Sequence, residues 1–171
     1  MATSYAFSTW APQLLQGNGV RQAGAVGNII AVIAALGGVA MIANGAHSDR
    51  RGERWLHIAI PLLILATGWL VAMKASPEVM PYALTLIYTG YVAVCGPFWC
   101  LPSMFLTGEA AAGGLAFVNM LAAFGGLAGP NLFGQAQRLT GRQDAAFVVM
   151  AALCVAAALM TLQLRRRVAA R

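Results

Sequence analysis

Long apolar runs separated by short polar breaks dominate the pattern of hydrophobic and polar positions along this chain. Five runs reach or nearly reach the roughly 20 residues of helix that cross the hydrocarbon core of a bilayer. The breaks between them carry charged residues, Pro or Gly, as in "KASPEVMP" and "GQAQRLTGRQD". The pattern therefore predicts five full transmembrane helices, at about residues 24–46, 56–73, 82–106, 110–133 and 145–164.

The N-terminal stretch, "MATSYAFSTWAPQLLQ", is apolar and aromatic but about half a membrane span long. It lacks the basic region and the small-residue cleavage site of a signal peptide. Pro12 interrupts regular helical hydrogen bonding, which membranes tolerate where neighbouring helices or a water-filled cavity satisfy the backbone. We predict a partial helix over residues 1–16, a tail over residues 165–171, and one transmembrane domain over residues 1–171.

Composition supports lipid as the solvent, because 60% of the residues are apolar and only 9% are charged. A water-soluble domain of 171 residues would need far more charge on its surface. The expected fold class is therefore an all-α integral membrane protein, a helical bundle of five full transmembrane helices and a partial one. The lipid bilayer is its first expected partner.

The basic residues predict the orientation, since positive residues in short loops are retained in the cytoplasm. With alternate crossings, the two sides receive seven and four of the 11 Lys and Arg residues. The loop over residues 47–55 and the C-terminus are therefore expected in the cytoplasm, and the net charge of +6 needs no nucleic acid to explain it. The seven are Arg50, Arg51, Arg54, Arg165, Arg166, Arg167 and Arg171; the four are Arg21, Lys74, Arg138 and Arg142.

The charged stretch "NGAHSDRRGERWLH" raises the question of catalysis or metal binding. His47 and His57 are ten residues apart, a spacing that matches neither an HExxH helix nor a zinc finger. An intramembrane enzyme would need a nucleophile, a metal cluster or paired carboxylates at depth. We therefore expect no enzyme, no metal and no cofactor. A tight turn between antiparallel helices fits better, with Gly45 allowing close packing, Asp49 capping and pairing with arginine, and Gly52 turning the chain.

Isolated polar and small residues inside the apolar segments each have two interpretations. Asn119 could bond to a neighbouring helix, at roughly 1 kcal/mol, or line an aqueous pathway. Gly125 and Gly129 are four residues apart, a spacing that allows close helix packing, and Pro130 follows directly. These three positions predict either a packing surface or a hinge in a rocking helix. Trp99, flanked by two prolines in "GPFWCLPSMF", lies deeper than an interfacial anchor would.

Several stretches resemble a known family. "GAHSDRRGER" resembles the G-x-x-x-D-R-x-G-x-R cytoplasmic loop of the major facilitator superfamily, in the copy that joins the eighth and ninth helices. "PFWCLPSMFLTGEAAAGGLAFVNMLAAFGGLAGPNLFGQAQRLTG" resembles the tenth and eleventh helices of that superfamily's anion:cation symporter branch, which carries organic acid and sugar acid anions. "SYAFSTWAPQLLQ" is similar to the end of the seventh helix. The resemblance implies the C-terminal half of a twelve-helix transporter.

The resemblance also implies roles for particular residues. The substrate would be a small organic anion, with H+ or Na+ as the coupling ion. Trp99 and Asn119 would face the central cavity and touch the substrate, and Tyr5, Trp10 and Gln13 are further cavity candidates. The gating loop would consist of Gly45, Asp49, Arg50, Gly52 and Arg54.

The expected function is secondary active transport by alternating access, in a bacterial inner membrane, with this chain supplying only the C-terminal half. The expected protein partner is therefore a missing N-terminal half. The alternative is a non-transporting half-transporter or truncated remnant that acts as a membrane interaction protein.

Overall fold

The computed structural model describes residues 2–142 and 144–169. Met1 of the predicted partial helix and Ala170 and Arg171 of the predicted tail lie outside the described residues. The described part is helical apart from short turns and contains no strand. Its six helices are α1 (Ala2–Gly17), α2 (Ala23–Arg51), α3 (Trp55–Met73), α4 (Met80–Phe105), α5 (Gly108–Thr140) and α6 (Asp144–Ala169).

Five of these helices, α2 to α6, are long and apolar enough to cross a membrane. α1 has 16 residues, which at 1.5 Å per residue is about 24 Å and short of the roughly 30 Å hydrocarbon core. The predicted fold class, an all-α membrane bundle of five full helices and a shorter first one, is confirmed.

α3 is the helix around which the bundle packs, since it lies against both α4 and α6. α4 in turn lies against α2 and α1, and α5 is held mainly by α1. Aromatic rings close the core where α3, α5 and α6 meet. The ring of Trp69 lies 5.3 Å from that of Phe133 and 6.0 Å from that of Phe147, measured between centroids. All three side chains are buried.

The first half of the predicted loop over residues 47–55 is helical, because α2 continues to Arg51. Gly52 ends the helix: it adopts a left-handed φ of 63° and donates its N–H to the carbonyls of Ser48 and Asp49. Arg50 and Arg51 lie in the last turn, where positive charge interacts favourably with the helix dipole. The turn between α2 and α3 is therefore limited to residues 52–54.

α5 also extends further than the predicted segment over residues 110–133, since it ends only at Thr140. Pro130 lies inside it without ending it, and Gly141, with a φ of 69°, terminates it. At 33 residues, or about 50 Å, α5 is longer than a bilayer core, so its polar last turns project beyond the apolar region.

Candidate functional site

The exposed side chains of α1 lie on one face, and most of them are polar. They recur at helical spacing, whereas the opposite face is buried against α4 and α5 through residues such as Phe7 and Leu15. A polar face on a helix at membrane depth is costly in lipid, so such a face borders water or further protein. We call it the α1 polar face; it consists of Tyr5, Ser8, Thr9, Gln13 and Gln16.

Among the described residues, the polar groups of this face bond only within their own helix. The Ser8 hydroxyl donates to the carbonyl of Ser4 at 3.0 Å, and the Gln13 amide donates to the carbonyl of Thr9 at 3.3 Å. Side-chain oxygens of both residues keep free acceptor capacity, because each bond uses the residue as a donor. The face therefore retains hydrogen-bonding groups for water or a solute.

Two cavities adjoin the α1 polar face. One, of about 370 Å³, lies at the C-terminal end of α1 and brings Trp10 and Gln13 together with Asn18 and Gln137. The other, of about 290 Å³, lies between α1, α2 and α4 and includes Ser8 and Tyr88. Of the sequence-predicted candidates, Trp10 and Gln13 thus share one polar pocket.

α5 positions α1 through its small residues. The backbone of Gly129 lies directly against Ala2, and the ring of Tyr5 packs over Gly126. The indole nitrogen of Trp10 donates to the carbonyl of Pro130 at 3.3 Å. Gly129 is thus in a packing contact, as one of its two interpretations predicts, and Pro130 offers a carbonyl to the neighbouring helix.

Trp99 lies elsewhere, in a cavity of about 260 Å³ between α1, α3, α4, α5 and α6. The lining is mostly apolar, with Tyr91, Cys95 and Cys154 as its main polar or polarisable members. The Trp99 ring is half-buried and stands edge-on to Phe98 at 5.3 Å between centroids. The described lining offers no cation to an anionic ligand.

Asn119 does not join Trp99 in this cavity. Its side chain is exposed on α5 and donates to the carbonyl of Leu115 at 3.1 Å. Val118 and Ala122, on the neighbouring face of α5, line the cavity instead. The two residues that the resemblance paired thus occupy different surfaces, and Tyr5, 56% exposed, is on a third.

The turn between α2 and α3 contains the predicted ion pair. Arg54 binds Asp49 with a nitrogen-to-oxygen distance of 2.8 Å. Arg50 is exposed and makes no hydrogen bond or ion pair within the described residues. Gly45 lies close to α4 rather than α3: a Cβ built on Gly96 would be 3.9 Å from its Cα.

The contacts of Glu53 near this turn were not predicted from the sequence. Glu53 accepts the backbone N–H of Leu56 at 2.9 Å, contacts a ring nitrogen of His57 at 3.1 Å and lies 3.6 Å from Arg165 of α6. The spacing of Glu53 and His57, four residues apart at the start of a helix, was a signal that could have paired them. No local pattern could have brought Arg165 there. No group of three metal-ligating side chains is close enough to hold a metal in the part that the structure describes.

Comparison with known proteins finds transporters. The chain is 37% identical over 163 residues to an Agrobacterium vitis protein that is provisionally named a tartrate transporter. It is 35% identical over 139 residues to the inner membrane transport protein RhmT of Escherichia coli, and 33% identical over 168 residues to a Pseudomonas putida protein provisionally named metabolite transport protein NicT. No family model matches the chain, and no solved structure matches it significantly.

These matches cover most of this chain but a minor part of each relative. They include 95%, 80% and 96% of this chain, and 36%, 32% and 38% of the respective relatives. The chain therefore spans about a third of the length of the curated relatives it matches. Fold and relatives together define its class, a helical membrane protein related to transport proteins. Its relatives fit the organic-acid permeases of the major facilitator superfamily, the family that its sequence motifs resemble.

Proposed function

We propose that this chain supplies the C-terminal half of a secondary active transporter for a small organic anion, coupled to H+ or Na+. The observation that carries the proposal is the α1 polar face, which is exposed on a helix packed against two candidate membrane-spanning helices and adjoins two cavities. The names of the relatives, which include tartrate and metabolite transport, support an organic acid as the cargo. Transport would proceed by alternating access, as the two halves rock about the substrate.

An N-terminal half is the partner that this proposal requires. α5 exposes a row of large apolar side chains that the described residues leave uncovered, and they include Phe117, Phe124 and Leu127. Lipid or a second transporter half would cover such a surface. We propose a bacterial inner membrane as the location, with the α2–α3 turn and the C-terminus of α6 in the cytoplasm, as the arginines predict.

The site assignments differ in how well the geometry supports them. Gln13 and Trp10 share a polar pocket next to the α1 polar face, so they suit contact with a hydrated anion. Trp99 lines a mostly apolar cavity, where it would meet an apolar part of a substrate, and Asn119 would meet one only on the exposed side of α5. Asp49 and Arg54 would form the gating pair, bonded in one conformation and separated in the other.

The test is uptake of labelled tartrate and other organic acids into proteoliposomes that hold this chain with or without a candidate N-terminal half. We expect uptake only from the pair. Gln13→Ala, Trp99→Ala and Asn119→Ala should each reduce it, whereas Thr67→Ala, on the exposed side of α3, should not. Unaltered uptake in all three variants would remove the site assignment.

The exposed apolar row of α5 also suits a second candidate function, a non-transporting membrane interaction protein. In that case the chain would copurify with a membrane partner, and no combination would accumulate an organic acid. The same proteoliposome experiment therefore separates the two candidates.

A further inference from the structure

The two histidines of the chain lie against each other at the α2–α3 turn. Nδ1 of His47, near the end of α2, is 2.9 Å from Nε2 of His57, at the start of α3. The other ring nitrogen of His57, Nδ1, is 3.1 Å from a carboxylate oxygen of Glu53. Glu53, His57 and His47 thus form a chain of three titratable groups.

The number of protons in this chain follows from its geometry. An ionised carboxylate can only accept a hydrogen bond, so Nδ1 of His57 carries a proton. One further proton lies between the two rings, on either Nδ1 of His47 or Nε2 of His57. If both rings become cationic, hydrogens occupy both facing nitrogens and the 2.9 Å contact cannot persist. The contact therefore permits at most one positive charge on the pair.

The charged and titratable groups around the pair come from α2, the turn and α6. α2 contributes His47 and Asp49, and the turn contributes Glu53 and Arg54, with Arg54 bonded to Asp49. α6 contributes Arg165, 3.6 Å from Glu53. The histidine side chain at position 57 is 12% exposed, whereas His47 is exposed. Protons from water therefore reach the pair through His47.

The pair belongs to a larger contact that joins three helices. The side-chain amide of Asn44, on α2, donates to the carbonyl of His57 on α3 and to the carbonyl of Ala93 on α4, both at 2.8 Å. The hydroxyl of Ser48 donates across the turn to the carbonyl of Glu53 at 2.8 Å. The histidine contact is thus one of several bonds that hold the end of α2, and it depends on the protonation of two imidazole rings.

We propose that His47 and His57 form a proton-binding site that holds the end of α2 against the first turn of α3 while the pair carries at most one positive charge, and that protonation of both rings releases it. Histidine is the side chain whose charge changes most readily near neutral pH, which suits it to this role. The site differs from the proposed gating pair of Asp49 and Arg54, and it does not depend on the transport proposal.

The test is nitrogen NMR of the full chain, labelled with ¹⁵N in its histidines and purified in detergent through a tag that contains none. Because the chain has only two histidines, two rings account for all signals. Near neutral pH we expect a scalar coupling between them across the shared proton, and loss of this coupling in acid.

A matched control is Asp144→Asn, which removes the 2.6 Å ion pair with Arg142 at the α5–α6 turn. It should leave the histidine signals unchanged. Absence of the coupling at every pH, or its persistence in acid, would overturn the proposal.

A second measurement avoids substitution of His57, whose side chain is only 12% exposed. After correction for intrinsic exchange, deuterium uptake by the amides of the last turn of α2 should rise at least tenfold in acid in the unaltered chain. In His47→Gln, whose altered side chain is exposed, uptake should be nearly independent of pH. An equal rise in both proteins would show that the histidine contact does not hold the helix end.

Discussion

The α2–α3 turn and the α1 polar face are both polar, but their side chains bond in different ways. At the turn, Glu53 contacts His57 in its own segment and Arg165 of another helix. On α1, Ser8 and Gln13 bond, within the part of the chain that the structure describes, only to carbonyls four residues earlier in their own helix. The first arrangement uses its groups to hold helices together, whereas the second leaves acceptors free. In this chain, the densely charged turn thus holds helices together, whereas the sparser polar residues of α1 form a surface that suits contact with water or a solute.

The largest expected effect, on stability, comes from disrupting the packing of α1 against α5. The orientation of the α1 polar face depends on this packing. Gly129→Leu would place a side chain where the backbone of Ala2 lies. Since backbone cannot move aside as a flexible side chain can, we expect a loss of about 3 kcal/mol of stability. Unfolding of the purified chain in detergent against sodium dodecyl sulfate would measure it.

The control for this prediction lies on the same helix. A Cβ at Gly113 would meet nothing within 4 Å in the described structure, so Gly113→Leu should be tolerated. If Gly129→Leu and Gly113→Leu are equally stable, the contact between Gly129 and Ala2 does not hold α1 against α5.

How far sequence alone goes differs between the same two regions. The spanning helices follow from apolar runs, because burial in lipid depends on local composition. Of the α1 polar face, only Tyr5 and Gln13 were among the cavity candidates that the resemblance implies, because which face of a helix is covered depends on its neighbours. The contacts of Glu53 with Arg165 and of Gly129 with Ala2 join positions more than 100 residues apart. No spacing rule within one helix could have predicted them.

The next effect tests whether water reaches the α1 polar face. In a chain whose three native cysteines are replaced, Thr9→Cys should react with a membrane-impermeant thiol reagent in proteoliposomes, because thiolate forms in water and not in lipid. Leu159→Cys, exposed on an apolar side of α6, is the matched control and should react at least tenfold more slowly. Equal rates would mean that the α1 polar face is no wetter than a lipid-facing one.

Glu53→Gln should have a smaller effect, on stability rather than on access. The amide can still accept the N–H of Leu56, but it loses the charge that attracts His57 and Arg165. Because the Glu53 side chain is only 22% exposed, we expect a loss of about 1–2 kcal/mol. Glu78→Gln, an exposed carboxylate in the α3–α4 connection, should stay within about 0.5 kcal/mol of the unaltered chain in the same detergent unfolding assay.

The smallest effect on stability is expected at the proposed gating pair, Asp49 and Arg54. This prediction distinguishes a role in stability from a role in gating. The Asp49 side chain is 65% exposed, so its bond to Arg54 is screened by water and ions. Asp49→Asn should therefore cost less than about 1 kcal/mol, and the difference should vanish at about 1 M salt. If this variant nevertheless changes the uptake rate of the paired protein more than Glu53→Gln does, the pair biases the exchange between conformations and contributes little to folding. A stability loss larger than that of Glu53→Gln would instead show that the Asp49–Arg54 pair is the main interaction that stabilises the turn.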